Sequence, residues 1–235
     1  PQGLGDLVER RLAHEPVAYI TGIQEFFGLP LRVSRDVLIP RGDSEVLVEA
    51  ALAARPEARR VLDCGTGSGA LLLAVLAHLP EARGVGIDRS DGARAVAQGN
   101  AEARGLASRA NLLLADWDRP GWATDLDGPF DLILANPPYV EEDARLSPSV
   151  RAHEPAGALF AGADGLEAYR VLVPQLAGLL APGGAAIIEI GATQGDAVTA
   201  LAQDSGFAVQ RHRDLAGRDR ALELKIPLGI CRAGG

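Results

Sequence analysis

Asn136-Pro137-Pro138-Tyr139 is the stretch of this chain in which chemistry is easiest to read. It follows the apolar run Phe130-Asp131-Leu132-Ile133-Leu134-Ala135, which reads as a buried strand. An asparagine at such a strand end offers a side-chain carbonyl acceptor, and the next two residues carry no backbone N–H. The corner therefore accepts hydrogen bonds and donates few. It suits a planar –NH2 group, which has two protons to place and a lone pair to aim. Upstream, Asp63-Cys64-Gly65-Thr66-Gly67-Ser68-Gly69 reads as a glycine-rich loop after another strand. Together the two segments imply methyl transfer from S-adenosylmethionine to an amide or amino nitrogen.

Gly65, Gly67 and Gly69 let the backbone turn tightly and let a ligand approach without a Cβ in the way. The helix expected after them offers N–H groups at its N-terminus to a carboxylate or phosphate. Gly65, Gly67 and Ala70 also satisfy the relaxed dinucleotide pattern, so the loop by itself leaves S-adenosylmethionine and NAD both open. Asp88 ends the next strand, at a distance that suits ribose hydroxyls in either class of enzyme. A helix N-cap or a solvated turn is the alternative role for it. Asp116 and Trp117 follow a third strand and could bracket an adenine, one accepting from its amino group and the other stacking on the ring. Trp117 could equally plug a surface gap. Trp122 reads as packing, and Cys64 as a small buried hydrophobe.

A carboxamide nitrogen is a poor nucleophile, because its lone pair is delocalised into the carbonyl. The same resonance gives peptide bonds a rotation barrier of roughly 18–20 kcal/mol. A protein can hold both N–H bonds with acceptors, favour developing positive charge, and point the lone pair at an electrophilic methyl. Asn136 would accept one proton through its side-chain oxygen and the Pro137 carbonyl the other. Pro137 and Pro138 lock φ and so fix that carbonyl's direction, while Tyr139 would pack on the flat substrate group. The plain alternative is two prolines ending a strand and an asparagine capping the turn.

These residues need strands to carry them. Alternating patterns predict strands over residues 60–64, 84–88, 110–115, 130–135 and 185–190. Helices are predicted over residues 69–79, 91–104 and 166–180, with another near 194–205. Pro182-Gly183-Gly184 reads as a turn opening a strand, and strands near 207–213 and 220–225 form an antiparallel pair. Ahead of these, helical spacing runs from about residue 4 to residue 18, and residues 24–33 read as a hairpin around a Gly/Pro turn. Such alternation gives a mainly parallel α/β sheet with helices on both faces, and ligands bind beyond the carboxyl ends of its strands. Glu189 reads as an acceptor near that rim or as a strand-end ion pair; Arg218 and Arg220 read as anchors of the last hairpin.

With 235 residues and 47% hydrophobic content the chain can bury a full core. A formal net charge of −8 argues against holding nucleic acid by phosphate neutralisation. Two cysteines, Cys64 and Cys231, make no disulfide framework and match no metal spacing, which points to a reducing compartment. No apolar stretch approaches the roughly 20 residues of a membrane span, and no signal peptide opens the chain. A cytoplasmic protein that neither uses a metal nor enters a membrane is the expectation. The absence of methionine, with Pro1 first, reads as a piece of a longer chain.

The ordered set of motifs resembles the HemK/PrmC family of protein-(glutamine-N5) methyltransferases. It runs from Pro16-Val17-Ala18-Tyr19-Ile20-Thr21-Gly22 through Glu25-Phe26-Phe27-Gly28-Leu29 and Leu38-Ile39-Pro40-Arg41-Gly42-Asp43-Ser44-Glu45. The glycine loop, Asn136-Pro137-Pro138-Tyr139, Glu189-Ile190-Gly191 and Asp214-Leu215-Ala216-Gly217-Arg218-Asp219-Arg220 complete it. The resemblance implies a seven-stranded Rossmann-like class I methyltransferase sheet whose last strand pair is antiparallel. It implies methylation of the glutamine in the Gly-Gly-Gln motif of class 1 peptide-chain release factors, with S-adenosylhomocysteine as by-product. Gly65, Thr66, Gly67, Ser68, Gly69, Asp88, Trp117 and Asn136 would hold S-adenosylmethionine; Asn136, Pro137, Pro138 and Tyr139 would hold the glutamine. A monomer that binds no nucleic acid directly goes with this. Gly42-Asp43-Ser44-Glu45 stands where the family has Pro-Glu-Thr-Glu or Pro-Asp-Thr-Glu, and its N-terminal helical domain is almost missing.

Residues 1–18 are thus expected to be the remnant of that substrate-recognition domain, 19–36 a linking β-hairpin, and 37–235 the methyltransferase domain. The rival readings are methylation of a ribosomal-protein glutamine or of adenine N6. Adenine would need a base-binding platform and a basic groove, and lysine occurs only at Lys225.

Overall fold

The computed structural model describes residues 3–227, so Cys231 lies outside the described part. The predicted helix from residue 4 to 18 is instead two: α1 (Leu4–Leu12) and α2 (Val17–Thr21). The cause is Pro16, which lacks an N–H and pushes its predecessor out of the helical region; it stands as the N-cap of α2, and His14 turns the chain at φ +63°. Glu15 fastens this corner. It accepts from Arg10 Nε and Nη2, both at 2.8 Å, and pairs with Arg35 at 3.3 Å. Those cations, Arg10 first, hold its carboxyl down at about 2 despite burial.

The hairpin of β1 (Ile23–Phe26) and β2 (Leu29–Arg32) follows as expected. Then comes a helix that periodicity did not reveal, α3 (Glu45–Ala54), entered through a 3-10 turn at Gly42–Ser44. From there strands and helices alternate: β3 (Arg60–Cys64), α4 (Ala70–His78), β4 (Arg83–Asp88), α5 (Asp91–Ala103), β5 (Ala110–Leu114) and β6 (Phe130–Ala135). A long excursion carries the short α6 (Pro148–His153) before α7 (Glu167–Leu176). The chain closes with β7 (Leu180–Glu189), α8 (Gly195–Asp204), β8 (Ala208–Arg213) and β9 (Asp219–Lys225).

The seven strands β3 to β9 form one sheet in the order β5-β4-β3-β6-β7-β9-β8, parallel except where β9 joins β7 and β8. This is the predicted α/β sheet with its antiparallel last pair. One difference concerns Pro182-Gly183-Gly184, which lies within β7 rather than before it. Phe130 pairs with Leu180 and Leu132 with Ala185, so the turn-forming triplet is a bulge that β7 carries inside the ladder.

Strand alternation divides the core. Along β6, Leu132 and Leu134 join the cluster under α3, α4 and α5, while Ile133 and Ala135 join the one under α7 and α8. Every residue of α4 from Ala70 to Leu76 is buried, as a helix wedged between the sheet and α3 requires. Each such leucine contributes about 1.5–3 kcal/mol by leaving water, which makes the sheet a stiff base for the loops at its edge. Among the described residues, no helix is long and apolar enough to cross a membrane.

Candidate active site

Parallel pairing puts the carboxyl ends of β3, β4, β5 and β6 on one edge. Cys64 stands opposite both Ala135 and Ile87, and Asp88 opposite Leu114. The residues that follow, Gly65, Asn136 and those after Leu114, thus leave neighbouring strands at one level, about 4.8 Å apart per strand. They line one cleft of about 1060 Å³, counted out to open solvent. Gly65, Thr66, Gly67, Ser68, Asp88, Trp117, Asn136 and Pro138 all line it. Gly69, Pro137 and Tyr139 do not.

The loop after β3 is glycine-rich for a reason that can be measured. Gly65 has φ +77°, and a Cβ built there would stand 3.0 Å from Cη2 of Trp117. The indole therefore lies on the bare backbone of the loop. The loop's own N–H groups largely bond within the chain. Gly65 and Thr66 donate to the Ile87 carbonyl at 2.9 and 2.8 Å, Gly67 to Asp88 Oδ2 at 3.0 Å, and Gly69 to Thr66 at 2.7 Å. What remains for a ligand is the surface of the loop and the first turn of α4, where Ala70 and Leu71 line the cleft.

Beneath the loop, Asp63 is buried and accepts from the Thr66 hydroxyl at 2.7 Å. Its other oxygen is buried without a hydrogen-bond partner. Burial pushes this carboxyl up to about 7, against the Thr66 bond, and the charge of Asp88 adds to the rise.

Asp88 ties the turn after β4 and also faces the cleft. Its Oδ1 accepts from Ser90 N at 2.9 Å and its Oδ2 from Gly67 N, while it lines the cleft. A carboxylate has about four lone-pair sites, so acceptor capacity is left on each oxygen. The N-cap of α5 is instead Ser90, whose hydroxyl accepts from Ala93 N. Asp116 also lines the cleft beside Trp117. Trp122 packs against the core and donates its indole N–H to Gln175 at 2.6 Å.

At the end of β6, Asn136 and Pro138 face the cleft and Pro137 is buried behind them. Tyr139 is half-buried. Its hydroxyl donates to Glu189 Oε1 at 3.2 Å, and its backbone carbonyl accepts from Gln194 Nε2 at 3.0 Å. Burial, with the nearby Glu189 charge, keeps its phenol firmly protonated. Arg218 and Arg220 do anchor the last hairpin: Arg218 Nε donates to Asp214 at 2.9 Å, and Arg220 reaches Asp43 at 3.1 Å and Asp214 at 3.4 Å.

Sequence reasoning missed the cleft's two other walls. One comprises Asp36, Val37, Leu38, Pro40 and Ser44, with Phe26 of the hairpin; the other comprises Pro155, Gly157 and Ala158. A latch joins them, because Glu154 accepts from Ile39 N at 3.2 Å and from Arg41 in a very short ion pair. Arg89 extends the second wall by donating to the Gly157 carbonyl at 2.7 Å. The available signal was Pro40-Arg41 inside a motif already singled out, which lacked only its partner.

Comparison with known proteins agrees with this edge. The Methyltransferase small domain family model matches residues 42–153. A release factor glutamine methyltransferase of Caulobacter vibrioides is 46% identical over 96% of this chain and 78% of its own length. One of Bradyrhizobium diazoefficiens is also 46% identical, over 92% of this chain and 74% of that protein. The chain belongs to the release factor glutamine methyltransferase family. A solved methyltransferase of Pyrococcus furiosus has a TM-score of 0.63 over 94% of this chain and 98% of its own, at 16% identity, a likeness of fold. Against the family's motifs, the glycine loop and the Asn-Pro-Pro-Tyr corner meet in one cleft through the β3–β6 register.

Proposed function

We propose that this chain transfers a methyl group from S-adenosyl-L-methionine to the side-chain N5 of the glutamine in the Gly-Gly-Gln motif of class 1 peptide-chain release factors, in the cytoplasm. The observation that carries the reading is the pairing of Cys64 with Ala135, which sets Asn136 beside the Gly65 loop in one cleft. Residues 1–18 are read as the remnant of a substrate-recognition domain, 19–36 as its link, and 37–235 as the methyltransferase domain.

The cleft has features that fit the donor. Trp117 against Gly65 offers a flat face for adenine, with Asp116 near to accept from its amino group. Asp88 keeps acceptor capacity for ribose hydroxyls, and the loop Gly65, Thr66, Gly67, Ser68 and Gly69 leads to α4 for the amino-acid end. When bound, S-adenosylmethionine supplies a methyl on a positively charged sulfur, open to in-line attack.

The chain's own residues act on the acceptor. Asn136 Oδ1 takes one N–H of the carboxamide and the Pro137 carbonyl the other, with the proline rings fixing the carbonyl's aim. Two acceptors on one nitrogen favour the positive charge that builds there and leave the lone pair pointing across the cleft. Pro138 and Tyr139 confine the flat group. Positioning of this kind can supply several powers of ten in rate, and the methylated nitrogen, left with one proton too many, gives it up to water.

The test is mass spectrometry of a class 1 release factor incubated with the protein and methyl-labelled S-adenosylmethionine. One labelled methyl on the glutamine side chain of Gly-Gly-Gln is expected. S-adenosylhomocysteine binding without methyl transfer to that glutamine would overturn the substrate, and binding of NAD alone would overturn the chemistry.

A further inference from the structure

Glu189 ends β7 with only 2% of its surface exposed. A carboxylate at such a site is costly unless something needs it, since a leucine would fill the space with no charge to desolvate. Its Oε1 accepts the Tyr139 hydroxyl, while its Oε2 is buried without a hydrogen-bond partner. Its backbone carbonyl accepts from the Tyr169 hydroxyl of α7 at 3.0 Å, which pins the strand end itself.

Charged and polar groups face this carboxylate from each neighbouring element. Ser44 comes from the 3-10 turn, is 4% exposed, and its hydroxyl has no hydrogen-bond partner of good geometry. Arg220 comes from β9, 7% exposed, tied outward to Asp43 and Asp214. Tyr139 comes from the corner after β6. Burial pushes the Glu189 carboxyl up to about 6, while Ser44, Arg220 and Tyr139 pull it down and Asp43 opposes them.

Tyr139 is held elsewhere by its backbone and by packing of its ring against the cluster under α7 and α8. Gln194 bonds its carbonyl, and a Cβ on Gly191 would lie 3.4 Å from its Cδ2. Among these contacts the hydroxyl bond to Glu189 is the directional one, bearing on the orientation of the ring within that packing. A bond to an ionised acceptor is about twice as strong as one to a neutral group.

We propose that Glu189 is a positioning residue for the methyl acceptor: its buried carboxylate, accepting from the Tyr139 hydroxyl, fixes the Tyr139 ring. This rests on the reading that the Asn136–Tyr139 corner receives the carboxamide. Protonation of Glu189 then loosens Tyr139 and weakens acceptance of the protein substrate, while donor binding continues unchanged because neither Glu189 nor Tyr139 lines the cleft.

Two measurements test it together. The first is NMR of 13C-ring-labelled tyrosine, of which the chain has three. The Tyr139 signal is expected to titrate with a midpoint near 6, to lose that titration in Glu189→Gln, and to move its midpoint upward in Ser44→Ala. The second is kcat/KM for the release factor against pH, at saturating S-adenosylmethionine. An acidic limb matching the NMR midpoint is expected, flat in Glu189→Gln with roughly a fivefold loss near pH 8. Glu189→Ala is expected to lose more than Glu189→Gln, because the amide still accepts the phenol proton. S-adenosylhomocysteine affinity is expected within about twofold of wild type in Glu189→Gln and Glu189→Ala. A Tyr139 signal indifferent to pH, or an acidic limb that survives Glu189→Gln, would overturn the proposal. Titration of Tyr139 without methyl transfer by the wild type would instead sink the proposed function and leave the Glu189–Tyr139 coupling standing.

Discussion

The Trp117 indole rests on the backbone of Gly65, with the space for one Cβ closed to 3.0 Å. Position 65 also sits at φ +77°, a conformation costing an L-residue about 1–2 kcal/mol. Gly65→Ala therefore strains the loop and displaces the ring at once. S-adenosylhomocysteine affinity is expected to fall at least about tenfold by calorimetry, equivalent to about 1.4 kcal/mol. Unchanged affinity would mean that the ligand does not use this face.

Asp63 makes stability depend on pH in the unusual direction. Its carboxyl rises from 3.8 when unfolded to about 7 in the fold, so the native state holds more protons across that window. Stability must then fall as pH rises through it, because ionisation leaves a buried charge. Glu189, raised from 4.5 to about 6, adds a smaller loss of the same sign. Asp63→Asn has no proton to lose there. Its urea midpoint relative to wild type is expected to climb between about pH 4 and about pH 8; a constant difference would show that Asp63 is ionised throughout.

The parts of the site legible in sequence were those whose physics is local. An apolar run ended by Asn136 and two prolines announces a strand end, and Gly65, Gly67 and Gly69 announce a turn, whatever surrounds them. Parallel order then brought both to one edge. What stayed hidden depends on distant partners. The latch between Arg41 and Glu154 spans 113 residues, and the bond between Tyr139 and Glu189 spans 50. Helix α3 escaped because Val46, Leu47, Val48, Ala50, Ala51 and Leu52 cover most of its circumference, leaving only Glu45 and Glu49, one turn apart, to mark a polar face.

Glu154 should be worth more than an exposed ion pair. It is 5% exposed, and its removal leaves the Ile39 N–H, on a residue itself 5% exposed, without an acceptor. Glu154→Ala is expected to lower stability by about 2–3 kcal/mol in urea unfolding. Glu154→Gln keeps an acceptor for Ile39 and loses the ionic part, so roughly half of that loss is expected. Equal losses in the two variants would make charge, rather than the backbone bond, the basis of the latch.

Gly165 tests the corner from behind. A Cβ there would stand 2.4 Å from the Tyr139 carbonyl oxygen and 2.7 Å from Gln194 Nε2, at φ +68°. The carbonyl belongs to a backbone fixed on its other side by two prolines, so Gly165→Ala must move the corner or break the Gln194 bond. Misplacement on the scale of an ångström costs as much as about a hundredfold when catalysis is positional. A fall of at least about tenfold in kcat/KM for the release factor is expected, with S-adenosylhomocysteine affinity retained because Gly165 packs on the Tyr139 backbone and neither residue lines the cleft. Gly99→Ala is the matched control: it sits within α5 with nothing within 4 Å of a new Cβ, and is expected to raise stability by about 0.5–1 kcal/mol with activity unaltered. If Gly165→Ala behaved like Gly99→Ala, the corner's position would not limit the reaction, and catalysis would have to lie in the donor alone.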